Sequence, residues 1–304
     1  MRAGGGDCRP HRHLCGAADR LFQEAADLTA KTPSGRRASP IGIFDSGMGG
    51  LTVVRALKEH LPGENLIYLG DTARLPYGTK SADTVTRYAV QAARALIARD
   101  IKMLVVACNT VSAVALPTLQ TGFEPLPVIG VIGPGAEAAL AAAPKGPIAV
   151  MATEGTVKGG AYVRAIQALA PRMPVVQQAA PLLVPLAEEG LVKGEIARLA
   201  VERYVKPLLA TVPRPKALVL GCTHYPALKA MIAQVAGPDV VLVDGADTVA
   251  AHVGERLREL GLLNEDGGGT VHFLATDAPD RFANVGEIFL GQPIDPGSVD
   301  VIDL

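Results

Sequence analysis

From Ile41 onward, short unbroken apolar runs alternate with longer stretches in which apolar residues recur at helical spacing. IGIF (41–44), LIYLG (66–70), MLVVA (103–107), VIGVI (128–132), PIAVMAT (147–153), VVQQAA (175–180), ALVLG (217–221), VVLVDG (240–245) and HFLATD (272–277) all have strand length. Most are rich in β-branched residues and do not alternate with polar ones, which is how strands buried on both faces of a parallel sheet read. LTVVRALKEHL after the first run is an amphipathic helix. Further helices are expected over about 81–99 and 247–260, with a short one before Gly291. Pro134-Gly135 is expected to break the chain ahead of an Ala- and Glu-rich helix. Strands that alternate with helices imply parallel sheets flanked by helices, an α/β fold.

The bulk composition narrows the function more by exclusion. The chain has 304 residues, 49% of them apolar and 19% charged, so it is globular and can bury one large core or two modest ones. A net charge of −1 and only 4% aromatic residues offer neither an electrostatic footprint nor stacking platforms for nucleic acid. No apolar run reaches the roughly 18 residues of a membrane span, and the Arg-rich start lacks the apolar stretch of a secretory signal. Four cysteines, two in core-like runs and two near the start, do not read as a disulfide framework; reduced thiols and a cytoplasmic setting fit better.

Residues 1–39 differ from the rest. They are rich in Gly, Arg and His, close on Pro33-Ser34-Gly35-Arg36-Arg37, and read as a disordered extension with room for a short helix around 17–30. Cys8, His11, His13 and Cys15 match no standard zinc spacing, so no metal is expected there.

Candidate chemistry sits at the ends of the apolar runs. Cys108 follows MLVVA and Cys222 follows ALVLG, one in each half of the chain, and each is followed by helix-capping residue types. Each thiol is expected at the carboxyl end of a strand beside a helix N-terminus, where α/β sheets bind ligands and where thiol pKa values fall. A buried cysteine is more often a small hydrophobe. Here both thiols end their runs, and His224 lies two residues past Cys222, where an imidazole can exchange protons with it. Asp45-Ser46-Gly47-Met48-Gly49-Gly50 joins a strand to a helix; Asp45 either caps that helix or belongs to a ligand site. Asp71 to Lys80 is a long polar loop at the next strand end, either an ordinary Pro-Tyr-Gly turn or a functional loop.

Taken in order, GIFDSGMGGLTV, YLGDTARLPYGTKS, VVACNTVSA, GVIGPG, ATEGTVKGGAY, PLLVPLAEEG, LGCTHYPAL and FLATDAPDRF resemble the glutamate racemases of the aspartate/glutamate racemase superfamily, from Ile41 to Gly291. Ala180 stands where that family often has a cysteine and Gly159 where a serine is common; residues 1–39 have no counterpart. The resemblance implies two similar domains, 40–133 plus 246–304 and 134–245, each a mainly parallel sheet flanked by helices, with the active site in the cleft between them. It implies cofactor-independent interconversion of L- and D-glutamate, feeding peptidoglycan synthesis, by a cytoplasmic homodimer. Cys108 would deprotonate the D-enantiomer with help from Asp45, and Cys222 the L-enantiomer with help from His224. Implied substrate contacts are Asp45, Ser46, Tyr77, Gly78, Asn109, Thr110, Thr156, Thr223 and His224. No cofactor, metal, nucleic acid or membrane partner is implied.

Two thiols suit racemisation because a proton must leave one face of Cα and return to the other, with one proton held between the pair. No pyridoxal lysine or metal motif offers an electron sink, so desolvation and preorganised donors around the substrate carboxylate must lower the barrier. The rivals are an aspartate or other amino-acid racemase of the same fold, and a two-lobed glutamate-binding protein that needs neither thiol.

Overall fold

The structure, a computed structural model, describes residues 36–304. The residues singled out near the start, Cys8, His11, His13, Cys15 and the stretch 17–30, lie outside the described residues.

The apolar runs form two all-parallel sheets. The first has the strand order β10-β9-β2-β1-β3-β4, from β1 (Ile41–Asp45), β2 (Leu66–Gly70), β3 (Met103–Val106), β4 (Val128–Gly130), β9 (Val271–Ala275) and β10 (Val299–Val301). The second has the order β6-β5-β7-β8, from β5 (Ile148–Ala152), β6 (Val175–Ala179), β7 (Ala217–Gly221) and β8 (Val241–Val243). The arrangement β2-β1-β3-β4 is thus repeated as β6-β5-β7-β8, and β9 and β10 extend the first sheet beyond β2. The central strands β1, β3, β5 and β7 are buried along their whole length, whereas the edge strand β6 is half-buried throughout. This is why the central strands read as continuous apolar runs and β6 carries Gln177 and Gln178.

Helices cover the sheets. Leu51, Val53, Val54 and Leu57 form the buried stripe of the helix Leu51–His60, and fully burying such a side chain contributes about 1.5–3 kcal/mol. The chain passes from the first sheet to the second through the helix Ile132–Ala142 and returns through the helix Ala246–Glu259. A hydrogen bond of 2.7 Å between His252 Nε2 and Glu137 Oε2 joins these two crossovers.

Several details depart from the sequence pattern. Pro134 does not break the chain: it sits in the first turn of the helix Ile132–Ala142, and the Gly135 amide bonds back to the Val131 carbonyl at 3.0 Å. The first turn tolerates proline because its N–H has no intrahelical partner anyway. The run 128–132 therefore stops as a strand at Gly130. The final edge strand β10 was not legible, being three residues long with Val301 exposed. Residues 37–39, at the end of the expected extension, are tied to the first sheet's unit. Arg37 Nε donates to the Gly261 carbonyl at 2.9 Å, the Ala38 carbonyl accepts from Asn65 Nδ2 at 3.1 Å, and Ser39 Oγ donates to Asp100 at 3.2 Å. Below them Lys102 is buried, paired with Glu64 and donating to the Leu262 carbonyl at 3.0 Å. Among the described residues, no helix is long and apolar enough to cross a membrane.

Candidate active site

In each sheet the strand order reverses at the first strand of the repeat, which lies between the second and the third, so a crevice opens between the carboxyl ends of β1 and β3 and of β5 and β7, where α/β folds bind ligands. In the first sheet, Asp45 ends β1 and Cys108 follows β3. In the second, Thr153 follows β5 and Cys222 follows β7. The two crevices meet in one narrow cavity of about 20 Å³. Ser46, Tyr77, Gly78, Cys108, Asn109, Thr110, Thr153, Cys222, Thr223 and His224 all line it, with Leu75, Pro76 and Val184 as apolar wall.

The environments of the two thiols differ. Cys108 is the N-cap residue of the helix Asn109–Val114, as expected. Cys222 instead enters a turn, and the helix that follows is a short 3₁₀ turn, Tyr225–Leu228, capped by His224. Cys108 Sγ donates to Ser46 Oγ at 3.5 Å. Burial, and then the neighbouring Asp45 carboxylate, push the Cys108 thiol up to about 12, against the smaller pull of Ser46 and the Val111 amide. Burial therefore defeats the helix N-terminus here, and Cys108 rests as a protonated acid.

Cys222 has a different partner. His224 Nδ1 faces Cys222 Sγ at 3.8 Å, and its Nε2 contacts Glu188 Oε1 at 2.8 Å; all three side chains are buried. Burial on its own would lower the imidazolium pKa, but the contacts with Cys222 and Glu188 outweigh it and hold His224 at about 10. An imidazole beside Sγ is placed to exchange protons with it. The edge of Phe289 packs on the imidazole, with ring centroids 5.5 Å apart.

Asp45 braces the turn rather than capping the helix Leu51–His60, whose N-cap is Gly50. Its Oδ2 accepts the amides of Gly47 at 3.2 Å and Gly50 at 3.0 Å, which holds the Gly-rich turn, while Oδ1 accepts from Thr223 Oγ1 across the cleft at 3.4 Å. Burial raises its pKa despite the opposing pull of the His224 charge and of these amides. Gly49 makes the close approach possible, since a Cβ there would stand 2.6 Å from Thr223 Oγ1.

Three expected contacts take a different form. Asp45 and Thr156 do not line the cavity: Asp45 stands behind Ser46 and Cys108, and Thr156 stands behind Thr153 in a chain of hydroxyls. Thr110 and Thr153 are 2.9 Å apart and Thr153 and Thr156 3.1 Å apart. Tyr77 lines the cavity, but its hydroxyl is turned onto the buried Asp71 carboxylate, which also holds Arg74 Nε at 2.7 Å and Thr276 Oγ1 at 2.9 Å. Glu188 and Thr153 were not singled out from sequence. Thr153 ends an apolar run, which is a usable signal, whereas nothing local separates buried Glu188 from exposed Glu189. The lining contains no lysine, and among the described residues no group of three or more His, Cys, Asp or Glu is placed to hold a metal.

Known proteins share this layout. The profile described as Asp/Glu/Hydantoin racemase matches residues 48–253. A glutamate racemase from Geobacter metallireducens is 50% identical over 252 residues, covering 83% of this chain and 92% of that protein. One from Syntrophus aciditrophicus is 47% identical over 259 residues, covering 85% and 94%. Among solved structures, glutamate racemase from Francisella tularensis in complex with D-glutamate superposes with a TM-score of 0.81 at 37% identity, covering 88% of this chain and 98% of that one. Sequence order, fold and cavity thus converge: the chain belongs to the Asp/Glu/Hydantoin racemase family, and within it to the glutamate racemases.

Proposed function

We propose that the chain interconverts L- and D-glutamate with Cys108 and Cys222 as the two proton-transfer groups, and so supplies D-glutamate for peptidoglycan synthesis. The observation that carries this is the placement of the two thiols at equivalent strand ends of two like sheets, lining one buried cavity, each with its own proton-handling partner.

In the L-to-D direction the Cys222 thiolate removes the Cα proton while the Cys108 thiol delivers its own proton to the opposite face. The pair ends as a Cys222 thiol and a Cys108 thiolate, so one proton is held before and after. The substrate carboxylate takes up the negative charge that develops as Cα loses its proton. Asn109, Thr110, Thr153 and Thr223 are the polar side chains best placed to stabilise it. Solvent exclusion strengthens each of these contacts. His224 is placed to exchange a proton with Cys222, and Asp45 with Ser46 neighbours Cys108 for the reverse direction. The division of strands between the two sheets supports two domains, 40–133 with 246–304 and 134–245. The family resemblance supports a cytoplasmic homodimer.

Purified chain should racemise glutamate at full rate after exhaustive treatment with EDTA, with no absorbance from a bound cofactor, and should turn over aspartate far more slowly. Activity that vanishes on chelation and returns with added metal would refute the two-thiol chemistry. Faster turnover of aspartate would refute the substrate.

A further inference from the structure

We propose that Tyr162 is a positioning residue for racemisation: its hydroxyl reaches from the second domain to lock the Asn109 amide of the first, so that the Nδ2 hydrogens face the substrate when the domains are closed. This rests on the glutamate reading above and deepens it.

Tyr162 belongs to the GGAY segment, the part of the sequence pattern that the two-thiol chemistry leaves unused. It lies on the helix Ala161–Leu169, is 3% exposed, and its Oη donates to Asn109 Oδ1 at 2.7 Å. Asn109 immediately follows Cys108 and lines the substrate cavity. An amide has chemically distinct ends: its oxygen only accepts and its nitrogen only donates. With Oδ1 engaged by the phenol, Nδ2 is left for the cavity, where a carboxylate needs donors. Burial, and then Cys222, raise the phenol pKa, so the hydroxyl keeps its proton and remains the donor. Asn109 Oδ1 is its acceptor among the described residues.

The seat of the ring is built for it. A Cβ at Gly135 would stand 3.0 Å from Tyr162 Oη, and one at Gly221 would stand 3.0 Å from Cε2. Neither glycine has the positive φ that would explain it by backbone conformation, and glycine is unfavourable in a helix or strand. Space for the tyrosine accounts for Gly135, and at Gly221 it adds to the close approach of Ala152 and the Met151 carbonyl. Gly221 immediately precedes Cys222, so Tyr162 touches the chain just before one thiol and just after the other. Gly135 lies in the crossover helix, and a Cβ on Gly245, in the return crossover, would stand 3.2 Å from its Cα. Tyr162 therefore rests on the first crossover, which in turn packs against the return crossover at Gly245, so a change in the position of that crossover moves its hydroxyl against Asn109.

A purely structural tyrosine would be satisfied by the same bond, and a double-mutant cycle separates the two roles. Kinetics for both enantiomers and melting temperatures would be measured for the wild type, Tyr162→Phe, Asn109→Ala and the double variant. Tyr162→Phe keeps the ring and should raise KM for L- and D-glutamate about tenfold, a typical loss for a hydrogen bond serving a charged group, with a smaller fall in kcat. In the Asn109→Ala background the same replacement should change kcat/KM less than about twofold. An equal effect in both backgrounds, or a Tyr162→Phe variant within about twofold of wild type, overturns the proposal. If Tyr162→Phe does not fold, Gly135→Ala, whose methyl crowds the hydroxyl, must raise KM in the wild type and be silent beside Asn109→Ala, or the proposal fails. A wild-type chain that does not racemise glutamate refutes the proposed function instead.

Discussion

Replacing either thiol by a hydroxyl should cost two to four decades of racemisation, the range expected on losing a well-placed acid or base. Cys108→Ser and Cys222→Ser are nearly isosteric and sit at buried strand ends, so the fold should survive both. A serine hydroxyl is too weak an acid to ionise in this cavity, and as a donor it cannot be recharged as a thiolate partner. Because the two thiols act as one unit, the double variant should be little slower than either single one. Their unlike surroundings add a second expectation. With Cys108 replaced, the Cys222 thiolate can still remove the L-glutamate Cα proton and return a solvent proton to the same face. Cα exchange into L-glutamate should therefore continue without racemisation. The mirror variant, Cys222→Ser, should exchange D-glutamate more slowly, since burial and Asp45 hold the remaining Cys108 thiol at about 12. A single variant that keeps more than about a tenth of wild-type turnover would mark its thiol as structural.

His224→Asn should slow the Cys222 side of the reaction by about ten- to a hundredfold, the worth of a charge-assisted hydrogen bond of about 1.5–3 kcal/mol. The imidazole lies 3.8 Å from Cys222 Sγ and is held by Glu188 at 2.8 Å, so it serves one thiol rather than both. Steady-state kcat/KM cannot reveal this on its own. The enantiomers have equal free energy, so kcat/KM must stay equal in the two directions for every variant. Exchange before racemisation does reveal it: exchange of L-glutamate at Cα should fall more than exchange of D-glutamate. Stability gives an independent check. The folded-state pKa of about 10 lies above the ordinary histidine value near 6.5. The interaction therefore stabilises the fold fully below about pH 6.5, and that contribution is lost as pH rises toward 10. The variant should lose this part of the pH dependence of unfolding. Equal loss of exchange from both enantiomers would mean that His224 orients substrate instead of serving Cys222.

Much of this site is written locally in the chain. Cys108 and Cys222 are legible because each ends a run buried on both faces, and a parallel sheet sends such ends to one rim. The Gly-rich turn after β1 is legible because only glycine permits the approach of Gly49 to Thr223. What was not legible depends on contacts between distant segments. Glu188 and Glu189 are neighbours of one type, and only the packing against His224 decides which is buried. Tyr77 looks like a substrate hydroxyl until Asp71, held by Arg74 and Thr276, claims it. The Cys108 pKa was expected to fall at a helix N-terminus; it rises because desolvation and Asp45 together exceed what the helix and Ser46 supply. The docking of Arg37 and Ser39 was hidden because their partners, Gly261 and Asp100, are far along the chain.

The central claim is that two thiols on opposite faces of Cα share the work, and isotope transfer tests it most directly. Wild-type chain is incubated with L-glutamate in D₂O, and both enantiomers are analysed at early conversion. Opposed thiols predict D-glutamate carrying deuterium at Cα in nearly every molecule, while the remaining L-glutamate stays largely protonated. Starting from D-glutamate, the labelling should mirror this. D-glutamate that retains the original proton would contradict it, because a single base would then have carried that proton from one face to the other.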